Sequence, residues 1–93
     1  MTSNLFDLSG KTALITGGNG GIGLGFAQGI ARQGGNVCIW GQNEEKNHQA
    51  LQQLQQFGGQ VHAIQCNVAD EAAVERAFAE TLKVFGRVDG CFR

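Results

Sequence analysis

The chain has 93 residues, 42% of them hydrophobic and 16% charged, with a formal net charge of -1. This balance describes a folded globular chain and excludes a highly charged disordered tail, as well as the strongly basic surface that nucleic acid or an anionic membrane attracts. Such a length admits one small domain and no second one.

At the N-terminus, Met1 to Asp7 has no basic opening and no long apolar core. No window approaches the roughly 18 to 20 apolar residues of a membrane span, so a cytoplasmic protein is expected. Leu5 and Phe6 are expected to pack under a sheet edge, and Ser9-Gly10 marks a turn. Thr12-Ala13-Leu14-Ile15-Thr16 reads as a first strand, and it runs directly into Gly17-Gly18-Asn19-Gly20-Gly21-Ile22-Gly23. Glycines suit a phosphate-binding turn, because without Cβ atoms the backbone N-H groups can approach a pyrophosphate and the next helix points its positive end at it. Asn19 suits a left-handed turn position.

Ile22, Phe26 and Ile30, with Ala27 and Ala31, recur at helical spacing until Gly34-Gly35 stops the helix. Asn36 to Trp40 is short and apolar between glycines, which predicts a second strand buried on both faces. Asn43 fits an N-cap for a second helix that carries Ala50, Leu51, Leu54 and Phe57 on one face and ends at Gly58-Gly59. Glu44-Glu45-Lys46 reads as its solvated first turn.

Val61 to Val68 reads as a third strand of mixed polarity at a sheet edge. Asp70 then caps a third helix, whose stripe of Val74, Ala77, Phe78, Thr81, Leu82 and Phe85 ends at Gly86. Arg87 to Arg93 starts a fourth strand. Cys38, Cys66 and Cys91 each sit in an apolar run and are expected as reduced core thiols. His48 and His62 have no partner at ligand spacing, so surface or edge roles are expected and no metal site. Trp40 and Phe57 read as core residues.

Strands alternating with helices predict an α/β fold with a parallel sheet. Right-handed crossovers put the first two helices on one face and the third on the other, giving strand order 3-2-1-4 with the chain truncated at the start of strand four. Ligands in such doubly wound sheets sit beyond the carboxyl ends of the strands at the switch point, where Thr16 to Gly23, Gly41 to Asn43 and Asn67-Val68 are expected to converge.

These residues resemble the short-chain dehydrogenase/reductase family over essentially the whole chain. Its Thr-Gly-x-x-x-Gly-x-Gly motif is matched by Thr16-Gly17-Gly18-Asn19-Gly20-Gly21-Ile22-Gly23, and its residue pair after strand three by Asn67-Val68. The resemblance implies a single, partial Rossmann-like dinucleotide-binding domain over residues 1 to 93. Gly17, Gly18, Asn19, Gly20, Gly21, Ile22 and Gly23 would meet ribose and pyrophosphate, Gly41 and Gln42 the adenine ribose, and Asn67 and Val68 the adenine. The implied cofactor is NAD or NADP. With neither an acid nor an Arg in Gly41-Gln42-Asn43, and no base at Gly20, the reading leans to NAD, since a 2'-phosphate would lack a counter-charge.

The family's Tyr-x-x-x-Lys, its Ser and its Asn-Asn-Ala-Gly segment have no match here, and the chain contains no Tyr. Without a phenolic proton donor, no catalytic residue is expected in this chain, and none of its own turnover of alcohols or ketones. The expected function is cofactor binding on behalf of an oxidoreductase that moves hydride between nicotinamide and a secondary alcohol or ketone. Two further readings stand beside it: a non-catalytic interaction module that self-associates through an uncovered sheet face, and a poorly folded remnant with too small a core.

Overall fold

Alternation of apolar side chains across a strand decides which helix each face of this sheet receives. In a computed structural model, which describes residues 8–17 and 20–92, the elements are β1 (Thr12–Thr16), α1 (Gly21–Arg32), β2 (Asn36–Gly41), α2 (Glu44–Gln55), β3 (Val61–Gln65), α3 (Glu71–Phe85) and β4 (Gly90–Phe92). The expectations for Leu5, Phe6, Gly18, Asn19 and Arg93 lie outside the described residues. All pairings are parallel, in the order β3-β2-β1-β4.

Ile15, Val37 and Ile39 face one way and are buried with Ala27 and Ala31 of α1 and Ala50 and Leu54 of α2. Leu14, Cys38, Trp40 and Ile64 face the other way and pack with Ala77 of α3. Two helices therefore lie on one face and the third on the opposite one, as right-handed crossovers require.

Local chemistry sets the helix ends. Asn43 accepts the Lys46 N-H through its side chain at the start of α2, and Asp70 accepts those of Ala72 and Ala73 at the start of α3. Gly86 closes α3 in the left-handed region at φ 80°, with its N-H on the Leu82 carbonyl. The paired glycines divide their work. Gly34 and Gly58 take positive φ after their helices, whereas a Cβ on Gly59 would stand 2.5 Å from the Gly35 carbonyl oxygen. That backbone approach admits only a hydrogen at Gly59.

Thr81 organises the polar interior of the α3 face. Its hydroxyl donates to the Ala77 carbonyl at 2.8 Å, accepts from Trp40 Nε1 at 3.2 Å and lies 3.5 Å from Cys38 Sγ. One proton and two lone pairs are thereby all used. Burial pushes the Cys38 thiol up to about 11, against smaller opposing effects from Thr81 and Trp40. It stays protonated and unreactive at neutral pH.

At the foot of β1 the Thr12 amide donates to Asp89 Oδ2 and the Asp89 amide to the Thr12 carbonyl, both at 2.8 Å, which ties the segment before β4 to the sheet. Hydrogen bonding from Arg87 first, and from the Thr12 amide second, holds the Asp89 carboxyl below the usual carboxylate range. The Thr12 hydroxyl is buried and has no partner among the described residues. Thr12→Val, which removes that unpaired group with little change of shape, is expected to stabilise the fold by about 1 kcal/mol. A rise in the urea midpoint would show this; a fall would mean that the hydroxyl is satisfied.

Four sequence expectations need correction. β3 stops at Gln65 rather than Val68, because after Cys66 gives its N-H to the Gly41 carbonyl, the Asn67 side chain captures the Ala69 N-H and turns the chain out of the sheet. On α1, Ile22 and Phe26 are exposed while Ala27 and Ala31 are buried, so the contact stripe is narrower than the apolar pattern. Phe78 and Leu82 of α3 are likewise exposed, about 100° around the helix from the buried Ala77 and Thr81. Cys91 is exposed rather than a core thiol, because it lies on the edge strand β4.

Candidate functional site

At the carboxyl end of β1 the chain must leave the sheet and start α1 within a few residues. Gly17 does this at φ 74°, a conformation that costs other residues strain. Its N-H donates to the Trp40 carbonyl at 2.8 Å, which anchors the turn to β2. Among the described residues, chain neighbours and α1 backbone aside, a Cβ built on Gly17, Gly20 or Gly21 meets no atom within 4 Å. Gly20 is the N-cap of α1 and has no side chain to satisfy the first-turn N-H groups, and no acid sits in that turn. The exposed, positive end of α1 therefore faces the opening.

The loop after β2 is held from two sides. Gly41 offers its carbonyl to Asn47 Nδ2 at 2.9 Å and to the Cys66 N-H at 3.1 Å, while Gln65 Nε2 donates to the Gln42 carbonyl at 3.0 Å. Gln42 Nε2 also reaches Asn67 Oδ1 at 3.5 Å, so the loops after β2 and β3 touch. Asn67 Oδ1 also accepts from the Ala69 N-H at 3.0 Å, so two donors converge on this one oxygen. Val68 is more than half exposed beside it. Burial, then the charge of Asp70, raises the Cys66 thiol above its ordinary value and leaves it a neutral wall.

Two recesses meet at Gly17. One, of about 290 Å³, is lined by Gly17, Trp40, Gly41, Gln42, Asn43, Lys46 and Cys66. The other, of about 490 Å³, is lined by Ile15, Thr16, Gly17, Ile22, Gly23, Phe26 and Phe92. Its apolar wall is fixed by an edge contact between Phe26 and Phe92, with ring centroids 4.6 Å apart, and by a 3.4 Å bond from the Thr16 hydroxyl to the Phe92 carbonyl. A third groove, of about 560 Å³, lies along α2 and β3, but Glu44 and Glu45 line it and would repel an anion.

Gly17, Gly41 and Gln42 share the first recess, Asn67 joins it through Gln42, and Ile22 and Gly23 line the second. Gly18 and Asn19 lie outside the described residues. Sequence reasoning missed Lys46, whose place in the first turn of α2 brings it to the wall beside Gly41 to Asn43. It missed Phe26 and Phe92 as well, which read only as part of the first helix's apolar pattern and of the start of strand four. Among the described residues, no group of three or more His, Cys, Asp or Glu could hold a metal ion, and no helix is long and apolar enough to cross a membrane.

A parallel sheet of order β3-β2-β1-β4 with helices on both faces is a Rossmann-like, doubly wound α/β fold. The family model for short chain dehydrogenases matches residues 11–92, and the chain belongs to the short-chain dehydrogenase/reductase family. It is 36% identical over 86 residues to sorbose reductase SOU1 of Candida albicans, covering 92% of this chain and 31% of that protein. The crystal structure of NAD+-bound xylitol dehydrogenase superposes with a TM-score of 0.90 at 29% identity, over 91% of this chain and 33% of that one. NADPH-dependent 3-quinuclidinone reductase from Rhodotorula rubra superposes with a TM-score of 0.86 at 34% identity, over 99% and 35% of the two chains. The chain thus spans about a third of the length of such relatives.

Proposed function

We propose that this chain binds NAD or NADP for an oxidoreductase that moves a hydride between the nicotinamide and a secondary alcohol or ketone. The observation that carries the reading is Gly17, left-handed and uncovered, where the two recesses join at the ends of β1 and β2. Backbone N-H groups at Gly20 to Gly23 take the pyrophosphate, while Gly17, whose own N-H is held by the Trp40 carbonyl, leaves room for it. Gly41 and Gln42 meet the adenine ribose, and Asn67 and Val68 the adenine, with the Asn67 N-H groups as donors. Ile22, Phe26 and Phe92 supply an apolar floor at the opposite end, where a flat nicotinamide ring can be kept from water.

The bound dinucleotide supplies or accepts the hydride. This chain's own residues bind and orient it; a proton donor of the phenolic kind is not among them, since the chain has no Tyr. Gly41 to Asn43 and Gly20 carry no cation, which favours NAD, while Lys46 lines the same recess and would favour NADP, so both dinucleotides are retained. Titration of the purified chain with NADH, followed by nicotinamide fluorescence, is expected to give saturable one-to-one binding. Absence of binding by a chain that circular dichroism shows to be folded would overturn the reading.

A further inference from the structure

We infer that Phe6 closes an apolar recess between α1 and β4 and from there backs the Phe26–Phe92 pair, which makes it a positioning residue for the nicotinamide end of the site. Its placement stands on the recess; only its consequence for binding rests on the function proposed above. The recess measures about 510 Å³, and its apolar wall is Leu8, Ala13, Phe26, Ile30 and Phe92. A packed domain leaves few voids larger than a water molecule, so an apolar opening of this size beside the core needs cover. Phe26 and Phe92 also line the recess of about 490 Å³ at Ile22 and Gly23, so the pair is a partition with one recess on each side. The Phe92 ring leans back over Gly90, where a Cβ would stand 3.1 Å from its Cε2.

Reach and anchoring name the occupant. Leu8 is fixed at the rim, since its N-H donates to the Gln33 carbonyl at 2.8 Å and its carbonyl accepts from the Lys11 N-H at 2.9 Å. A Cβ on Gly35 would stand 2.7 Å from Ile30 Cγ2 and 3.4 Å from Leu8 Cβ, so Leu8 and Ile30 close together over that glycine. Seven residues precede Leu8, and Leu5 and Phe6 are the apolar pair nearest to it. Two residues of extended chain span about 7 Å, so Phe6 can enter the recess while Leu8 stays where it is bonded. Alternation puts positions 6 and 8 on one side of an extended lead-in and sends Leu5 and Asp7 to the other. A ring in that place meets Ile30 and the aromatic partition, and holds the partition towards the nicotinamide side.

The test is NMR of the isotopically labelled 93-residue chain, together with NADH titration of Phe6→Ala and Phe6→Leu. Wild type is expected to show nuclear Overhauser contacts from the Phe6 ring to the Ile30 methyl groups and to the Phe92 ring. Phe6→Ala should lower the urea midpoint and weaken NADH binding by the folded chain about threefold, the scale on which contacting residues couple, and Phe6→Leu should restore both. Absence of those contacts would overturn the placement, and so would contacts found only between differently labelled copies, which would assign the recess to a second copy. Wild-type NADH affinity in Phe6→Ala would overturn the positioning role. If a folded chain bound no dinucleotide, the proposed function and the positioning role would fall together, and the Ile30 contacts would still decide the placement.

Discussion

Gly17→Ala is expected to lower the affinity for NADH and NADPH by about 30-fold or more, equivalent to about 2 kcal/mol. The effect comes from the ligand side. A Cβ at Gly17 meets no atom of the described residues within 4 Å apart from its chain neighbours, so the methyl group would press on the proposed dinucleotide rather than on the protein. The positive φ adds strain of about 1 to 2 kcal/mol to the fold, which has to be separated from the loss of binding. Gly10 provides the control: it has φ 82° and open space around it too, but it precedes β1 at the opposite end of the sheet from the recesses. Gly10→Ala should therefore lose comparable stability and no affinity. Isothermal titration of both variants, with thermal melts alongside, checks the pair, and equal affinity losses would contradict the placement of the site.

Thr81→Ala is expected to cost about 2 to 4 kcal/mol of folding stability, a large share of what a domain this small possesses. Removing the hydroxyl strands the buried Trp40 Nε1-H and the Cys38 thiol together and opens a void beneath α3. Thr81→Ser keeps the oxygen and should lose only the methyl contribution, about 1 kcal/mol. Equilibrium urea unfolding of the three proteins distinguishes the cases. A Thr81→Ala midpoint equal to that of Thr81→Ser would mean that the network carries no energy.

Elements with both a period and a cap were legible in the sequence. α3 declared itself through Asp70, the Ala77 and Thr81 spacing, and Gly86; β2 through an unbroken apolar run between glycines. Strand order followed from the alternation of strands and helices and the handedness of crossovers. Apolar pattern alone could not tell which side of a stripe is covered, so Phe78 and Leu82 read as part of the packed stripe although they are exposed. Cys91 misled for the same reason, because an edge strand leaves exposed a residue that its apolar neighbours would bury in mid-sheet.

For the site, the glycine turn and the two later loops could be named from motif and topology, since each lies at a strand end. Lys46 could not be found that way. Its contribution depends on how the Asn43 cap and the Asn47 bond to Gly41 rotate α2, a three-dimensional consequence of side chains that read locally as an ordinary solvated turn. Phe26 and Phe92 belong to segments 66 positions apart and meet only when β4 joins β1.

The central claim is that one dinucleotide lies across Gly17, with its adenosine against the loops after β2 and β3. Amide NMR spectra of the labelled chain, recorded as NADPH is added, test this most directly. The account predicts that shifts concentrate at Gly17, at residues 20–23, at Gly41 and Gln42, and at Asn67 and Val68. Shifts confined to the groove of Glu44, His48 and Gln65, with the glycine turn unmoved, would contradict it.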